Sequence, residues 1–171
     1  MLHIYCGNGK GKTTAALGLA MRAAGSGMRV CFLQLLKGGD TSELAVLERL
    51  PEIIVRRCDR EYGFTFRMTM EEKGRLRECH NALLNEAAQM LDSGTVQMLV
   101  LDEFFAAWNA DVLDKTLAER LVSEGPAGVE LVLTGRDPEE RFLRAADYVS
   151  EIHAVKHPYS KGIKARRGIE Y

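Results

Sequence analysis

Eight consecutive residues, Gly7-Asn8-Gly9-Lys10-Gly11-Lys12-Thr13-Thr14, combine the residue types that hold a polyphosphate. Glycines let the backbone curl until successive N–H groups point inward, and a helix opening at Lys12 adds its positive dipole end. Lys12 then reaches the outer phosphates, and the Thr13 hydroxyl can ligate magnesium. Against the pattern G-x-x-x-x-G-K-[ST], the first glycine should stand at Cys6 and stands one place later, at Gly7. A plain strand-to-helix linker would explain Gly7 and Gly11 but not Lys12-Thr13-Thr14. We read the segment as a variant phosphate loop for ATP.

A second group of chemically capable residues ends the apolar run Leu99-Val100-Leu101, where Asp102 and Glu103 follow. Carboxylates at the carboxyl edge of a sheet can hold magnesium directly or through water, or can stabilise a helix N-terminus. Thr134-Gly135-Arg136 ends another apolar run. Arg136 can pair with phosphate or with its neighbours Asp137 or Glu139, and the sequence leaves both open.

Alternating strands and helices must position these groups. Leu2 to Cys6 reads as a buried strand and Lys12 to Ala24 as an alanine-rich helix ended by Gly25 and Gly27. Strand patterns follow at Met28 to Leu36, Glu52 to Cys58, Val96 to Leu101, Val129 to Thr134 and Tyr148 to Val155. Helical patterns occupy Ser42 to Leu50, Thr69 to Leu91, Val112 to Val122 and Pro138 to Ala146, with Thr69 and Glu72 spaced for a capping box. Continuously apolar strands alternating with helices predict a mostly parallel sheet with helices on both faces; taken together with the phosphate loop, we read an α/β fold of the RecA-like P-loop NTPase kind. The basic stretch Lys156 to Tyr171 has no clean period, and reads as a frayed end or as a tail folding over a ligand.

Length and composition bound the partners. A chain of 171 residues suits one domain, 1–171, and 46% hydrophobic residues suffice for a core. With 23 basic against 24 acidic side chains there is no overall field to attract nucleic acid or an anionic membrane. The N-terminus lacks signal-peptide features, and no apolar run approaches the roughly 20 residues of a membrane span, so a cytoplasmic protein is expected. Cys6, Cys31, Cys58 and Cys79 are scattered and read as four reduced thiols. His3, His80 and His153 read as structural or surface residues, and His157 as one that folds the tail.

The phosphate loop, Leu101-Asp102-Glu103, Leu133-Thr134-Gly135-Arg136 and the tail (Lys156-His157-Pro158-Tyr159, Gly162-Ile163-Lys164-Ala165, Gly168-Ile169-Glu170-Tyr171) together resemble the P-loop ATP:corrinoid adenosyltransferases of the CobA/BtuR type. The resemblance implies transfer of the 5′-deoxyadenosyl group of ATP to Co(I) of a corrinoid, with triphosphate leaving. It implies magnesium held by Thr13 and Glu103, with Asp102 as a further candidate, a reductant such as a flavoprotein, and a homodimer. It also implies ATP lying reversed relative to ordinary P-loop ATPases, which fits the shifted Gly7. Arg60-Glu61-Tyr62-Gly63-Phe64-Thr65-Phe66 resembles the family's corrinoid-facing loop, with Phe66 in place of its usual Trp, so Phe64 and Phe66 are the expected corrinoid contacts. The segment Leu36-Lys37-Gly38-Gly39-Asp40 lacks the family's Trp and leaves Glu43 as its acid, Phe104-Phe105 replace the usual Leu-Asn, and the N-terminal extension of some members has no counterpart before Leu2. Rival readings are a P-loop nucleoside kinase or ATPase releasing ADP, and a nucleotide-dependent corrinoid-binding or sensing protein.

Overall fold

The runs Val30–Gln34 and Met98–Asp102 are buried at every position, as strands covered on both faces must be. A computed structural model describes residues 1–39, 41–60, 62–63 and 65–170. Among these, six strands form one sheet: β1 (Leu2–Cys6), β2 (Val30–Gln34), β3 (Ile53–Arg57), β4 (Met98–Asp102), β5 (Glu130–Thr134) and β6 (Tyr148–Glu151). Their order is β3-β2-β4-β5-β1-β6, and every pairing is parallel. β5 separates β1, which leads into the phosphate loop, from β4, which ends in the acids. This is the expected α/β architecture, a parallel sheet with helices on both faces.

Successive side chains of a strand point to opposite faces, and the sheet uses this to build two cores. Val30, Phe32, Met98 and Val100 meet Ala16, Ala20 and Ala23 of α1 (Lys12–Gly25) and Leu47 of α2 (Leu44–Leu47). Cys31, Leu33, Leu99 and Leu101 meet Leu76, Leu84 and Leu91 of α3 (Met70–Asp92). The same face is completed by α4 (Phe104–Asn109), α5 (Lys115–Ser123) and α6 (Glu140–Ala145). Leu84 is fully enclosed, and truncating such a leucine to alanine costs about 2–5 kcal/mol. Thr69 caps α3 as its spacing predicts: its hydroxyl accepts from Glu72 N–H at 3.2 Å, and Glu72 accepts from Thr69 N–H at 2.8 Å. A cap of this kind stabilises by about 1 kcal/mol.

Three expectations are corrected. The four cysteines are not all thiols: Cys58 and Cys79 form a disulfide between the end of β3 and α3, while Cys6 and Cys31 stay free and buried. The packing of α3 across the exit of β3 brings the two Cα atoms to 6.2 Å, a proximity that spacing along the chain cannot reveal. The stretch after Glu103 forms α4, unforeseen because it is six residues long and lacks a side-chain cap, and the next helix starts at Lys115 rather than Val112. Strand ends also fall short. β2 stops at Gln34 because Leu36 turns into the left-handed region at φ 60°, and β6 stops at Glu151 because the chain there leaves to lie against the phosphate loop.

Candidate active site

β1 ends at Cys6 and the phosphate loop begins, with Gly7 at φ 101° and Gly11 at φ 120°, conformations that favour glycine. Gly7 and Gly9 have a second reason to lack side chains. A Cβ on Gly7 would lie 2.5 Å from the carbonyl oxygen of Ile152, and one on Gly9 would lie 2.8 Å from it. The chain leaving β6 is fastened flush against the loop: Gly9 N–H donates to Ile152 O at 2.7 Å, and Asn8 Oδ1 accepts from Ala154 N–H at 2.9 Å. The Gly9 amide and the Asn8 side chain therefore serve the loop's own shape, and the backbone amides of Lys10 to Thr13 are the ones left to face a ligand. Lys12 is largely buried and folds back to donate to Gly9 O at 2.9 Å. Burial pushes its pKa down, and Arg136 adds to this, against the opposing pull of Glu103 and Asp102.

Asp102 is the hub of the site. It is fully buried at the end of β4; its Oδ1 accepts from Thr13 Oγ1 at 2.9 Å and from Thr134 Oγ1 at 2.7 Å, and its Oδ2 accepts from Lys37 Nζ at 2.7 Å. Sequence reasoning found Asp102 and Thr13. It passed over the roles of Lys37 and Thr134, whose only signal is a place at the ends of β2 and β5, the two neighbours of β4 in the sheet. Glu103 follows in the left-handed conformation at φ 60°, a backbone state costing about 1–3 kcal/mol for a non-glycine residue. What holds it is the packing behind it. Gly135 approaches so closely that a Cβ there would meet Phe105 Cβ at 2.8 Å, and Phe104, Phe105, Trp108 and Phe142 interlock as a ring cluster. The phenylalanines that depart from the family pattern thus form the packed support under the acid. Burial first, and Asp102 second, raise the Glu103 pKa, as is usual for a carboxyl kept from water beside another.

Lys12, Thr13, Glu103, Arg136, His157 and Glu170 line one hollow of about 260 Å³. An adjoining hollow of about 530 Å³ is lined by Lys37, Glu43 and Gly168, and shares Lys10, Thr13, Thr14, Ile169 and Glu170 with the first. Two further hollows, of about 330 and 260 Å³, lie around α5 and the start of β1 and contain none of the phosphate-loop residues. Arg136 is exposed at the mouth of the phosphate hollow; Glu139, one of its possible partners, instead takes Trp108 Nε1–H at 2.6 Å and pairs with Arg141. In the tail, His157 Nδ1 accepts from Tyr159 N–H at 3.2 Å, and Glu170 pairs with Arg166. Phe66 lies in the single turn Thr65–Arg67, 77% exposed, with the Arg67 guanidinium 5.5 Å from its ring centre. Phe64, named with it, lies outside the described residues, as do Asp40, Glu61 and Tyr171.

The donor set suits a hard divalent ion. Thr13, Asp102 and Glu103 offer oxygen atoms only, and among the described residues no group of three or more His, Cys, Asp or Glu is placed to hold a metal by itself. In nucleotide sites magnesium is usually held by one or two protein oxygens together with substrate phosphates. No helix among the described residues is long and apolar enough to cross a membrane.

Comparison with known proteins points to one family. The family described as ATP:corrinoid adenosyltransferase BtuR/CobO/CobP matches residues 1–171. A corrinoid adenosyltransferase of Pseudomonas aeruginosa is 38% identical over 176 residues, covering all of this chain and 83% of that protein. One of Escherichia coli (strain K12) is 34% identical over 169 residues, covering 98% and 84%. Among solved structures, the Aeropyrum pernix ORC2 protein in its ADPNP-ADP complexes matches at a TM-score of 0.45 and 16% identity, over 91% of this chain and 42% of that one.

Proposed function

We propose that this chain, which belongs to the BtuR/CobO/CobP family of ATP:corrinoid adenosyltransferases, uses the Asp102-centred site as its catalytic centre. The reaction is transfer of the 5′-deoxyadenosyl group of ATP to Co(I) of a corrinoid. A Co–C5′ bond forms, the C5′–O bond breaks, and its electron pair leaves with triphosphate. Co(I) is itself a strong nucleophile, so the protein's task is to hold C5′ in line and to stabilise the charge that develops on the leaving group.

The amides of Lys10 to Thr13 cradle the triphosphate, and Lys12 and Arg136 supply positive charge to it. Lys12, desolvated and folded onto its own loop, exchanges Gly9 O for a phosphate oxygen. Thr13 and Glu103 would hold magnesium, with Asp102, which accepts from Thr13 at 2.9 Å, as a further oxygen donor. When bound, magnesium offsets part of the triphosphate's charge. Residues 156–171 belong to the single domain, and His157, Ile169 and Glu170 of this tail wall the nucleotide hollow, while the exposed ring of Phe66, with Phe64, excludes water from the lower face of the corrinoid. Magnesium as the metal, a flavoprotein-class reductant, a homodimer and a cytoplasmic setting belong to the same proposal.

The observation that carries this reading is the family match over residues 1–171. The test is incubation with ATP, magnesium and chemically reduced corrinoid, followed for a light-sensitive Co–C product and free triphosphate. ADP in place of triphosphate would reject transfer in favour of a kinase or ATPase, and bound corrinoid without product would leave a sensing protein.

A further inference from the structure

Lys37 is a charged group of the site that the scheme above leaves unused. Its ammonium lies 2.7 Å from Asp102 Oδ2 and 3.3 Å from Thr13 Oγ1, so a cation already rests on two of the oxygen donors assigned to the metal. Its aim is set by the backbone. Gln34, where β2 ends, stands opposite Asp102 in the β2–β4 register, and the left-handed turn at Leu36 swings the next residue over the acid. His80, fully buried in α3, fastens that turn from behind: its Nε2 accepts Leu36 N–H at 3.2 Å and its Nδ1–H donates to Val112 O at 2.8 Å. A turn that leucine adopts at a cost, pinned by a buried side chain, is a device for pointing Lys37.

We propose that Lys37 is a tethered stand-in for the metal. In the nucleotide-free protein its ammonium neutralises Asp102 and keeps Thr13 in place, and the incoming divalent ion must displace it. Asp102 is fully buried, and a buried carboxylate without a cation is costly. Two cations within about 3 Å of one carboxylate repel each other strongly in a site of low dielectric, so occupation is exclusive. The displaced ammonium has somewhere to go, because Lys37 is 23% exposed and borders the larger hollow beside Lys10 and Thr14, where it can meet polyphosphate. Exclusive occupation makes metal binding weak until nucleotide arrives to receive both the ion and the lysine. The inference rests on reading Thr13 and Asp102 as metal-holding groups.

The test is titration of the full-length, nucleotide-free protein with Mn²⁺ alone, the free ion being followed by electron paramagnetic resonance. Lys37→Met should bind Mn²⁺ about tenfold to a hundredfold more tightly than wild type, the range of one charge-assisted hydrogen bond removed from competition. Lys37→Arg, which keeps the charge, should stay within about threefold of wild type by the same reasoning. Equal or weaker binding by a folded Lys37→Met protein would overturn the proposal. Should that variant not fold, wild type answers the question: saturating Mn²⁺ should raise labelling of Lys37 by an amine-reactive reagent at least about tenfold, as loss of a charge-assisted bond implies, and unchanged labelling would overturn the proposal. Neither measurement contains ATP or corrinoid, so failure here leaves adenosyl transfer standing, and failure of transfer leaves these results readable.

Discussion

His80 makes the stability of this protein depend on pH in a calculable way. Leu36 N–H can only donate, so Nε2 must accept and the ring must be neutral, with its proton on Nδ1. Burial, partly offset by the hydrogen bond to Val112, lowers its pKa from 6.5 to about 4. Above the unfolded pKa both states carry the neutral ring and nothing is lost. As pH falls, the unfolded chain takes up the proton first, and native stability declines until the folded ring protonates as well. For the shift from 6.5 to about 4, linkage gives a loss of about 2 kcal/mol between about pH 7 and pH 5, approaching about 3 kcal/mol near pH 4. The assay is urea unfolding of wild type and His80→Gln across that range, with magnesium and nucleotide absent. Glutamine can still accept from Leu36 but does not titrate, so the difference between the two stability curves should shrink by that amount as pH drops. Parallel curves would show that the ring is not held neutral, and the account of the Leu36 turn would fail with it.

Three further outcomes are expected. Glu103→Gln should raise the melting temperature while abolishing transfer, because burial and Asp102 disfavour its charge; Asp102→Asn should lower stability by about 1–3 kcal/mol because it removes the charge-assisted hydrogen bond from Lys37, and the opposite order in a thermal melt would refute both assignments. Deleting residues 156–171 should leave the far-ultraviolet circular dichroism of the parallel sheet intact, since the clasp of Ile152 on Gly9 is retained, yet weaken ATP binding measured by calorimetry, and unchanged affinity would make the tail irrelevant to the site. Replacing Cys58 and Cys79 together by serine should cost about 2–4 kcal/mol in denaturant unfolding, the usual range for a short closed loop such as this one between residues 21 positions apart, and an unaltered midpoint would mean the bridge does not form in solution.

The amino-acid sequence determined on its own whatever is written in consecutive residues. The phosphate loop is legible because Gly7 to Thr14 make the turn, its cation and its hydroxyl from one short segment. The two-sided parallel sheet is legible because fully buried strands run apolar up to their last residue, and the capping box because Thr69 and Glu72 lie three residues apart. Other features depend on which strands are neighbours and which segments cross. That Asp102 meets Thr134 and Lys37 follows from β4 lying between β2 and β5; that Gly9 gives its amide to Ile152 follows from β6 pairing with β1; that Cys58 meets Cys79 follows from α3 crossing the end of β3. Hydrogen bonds and ion pairs between chain-distant groups leave no period and no motif, because their geometry is set by packing after the elements exist. Only the tertiary structure decided, for that reason, that a lysine from outside the phosphate loop rests on the acid at the centre of this site.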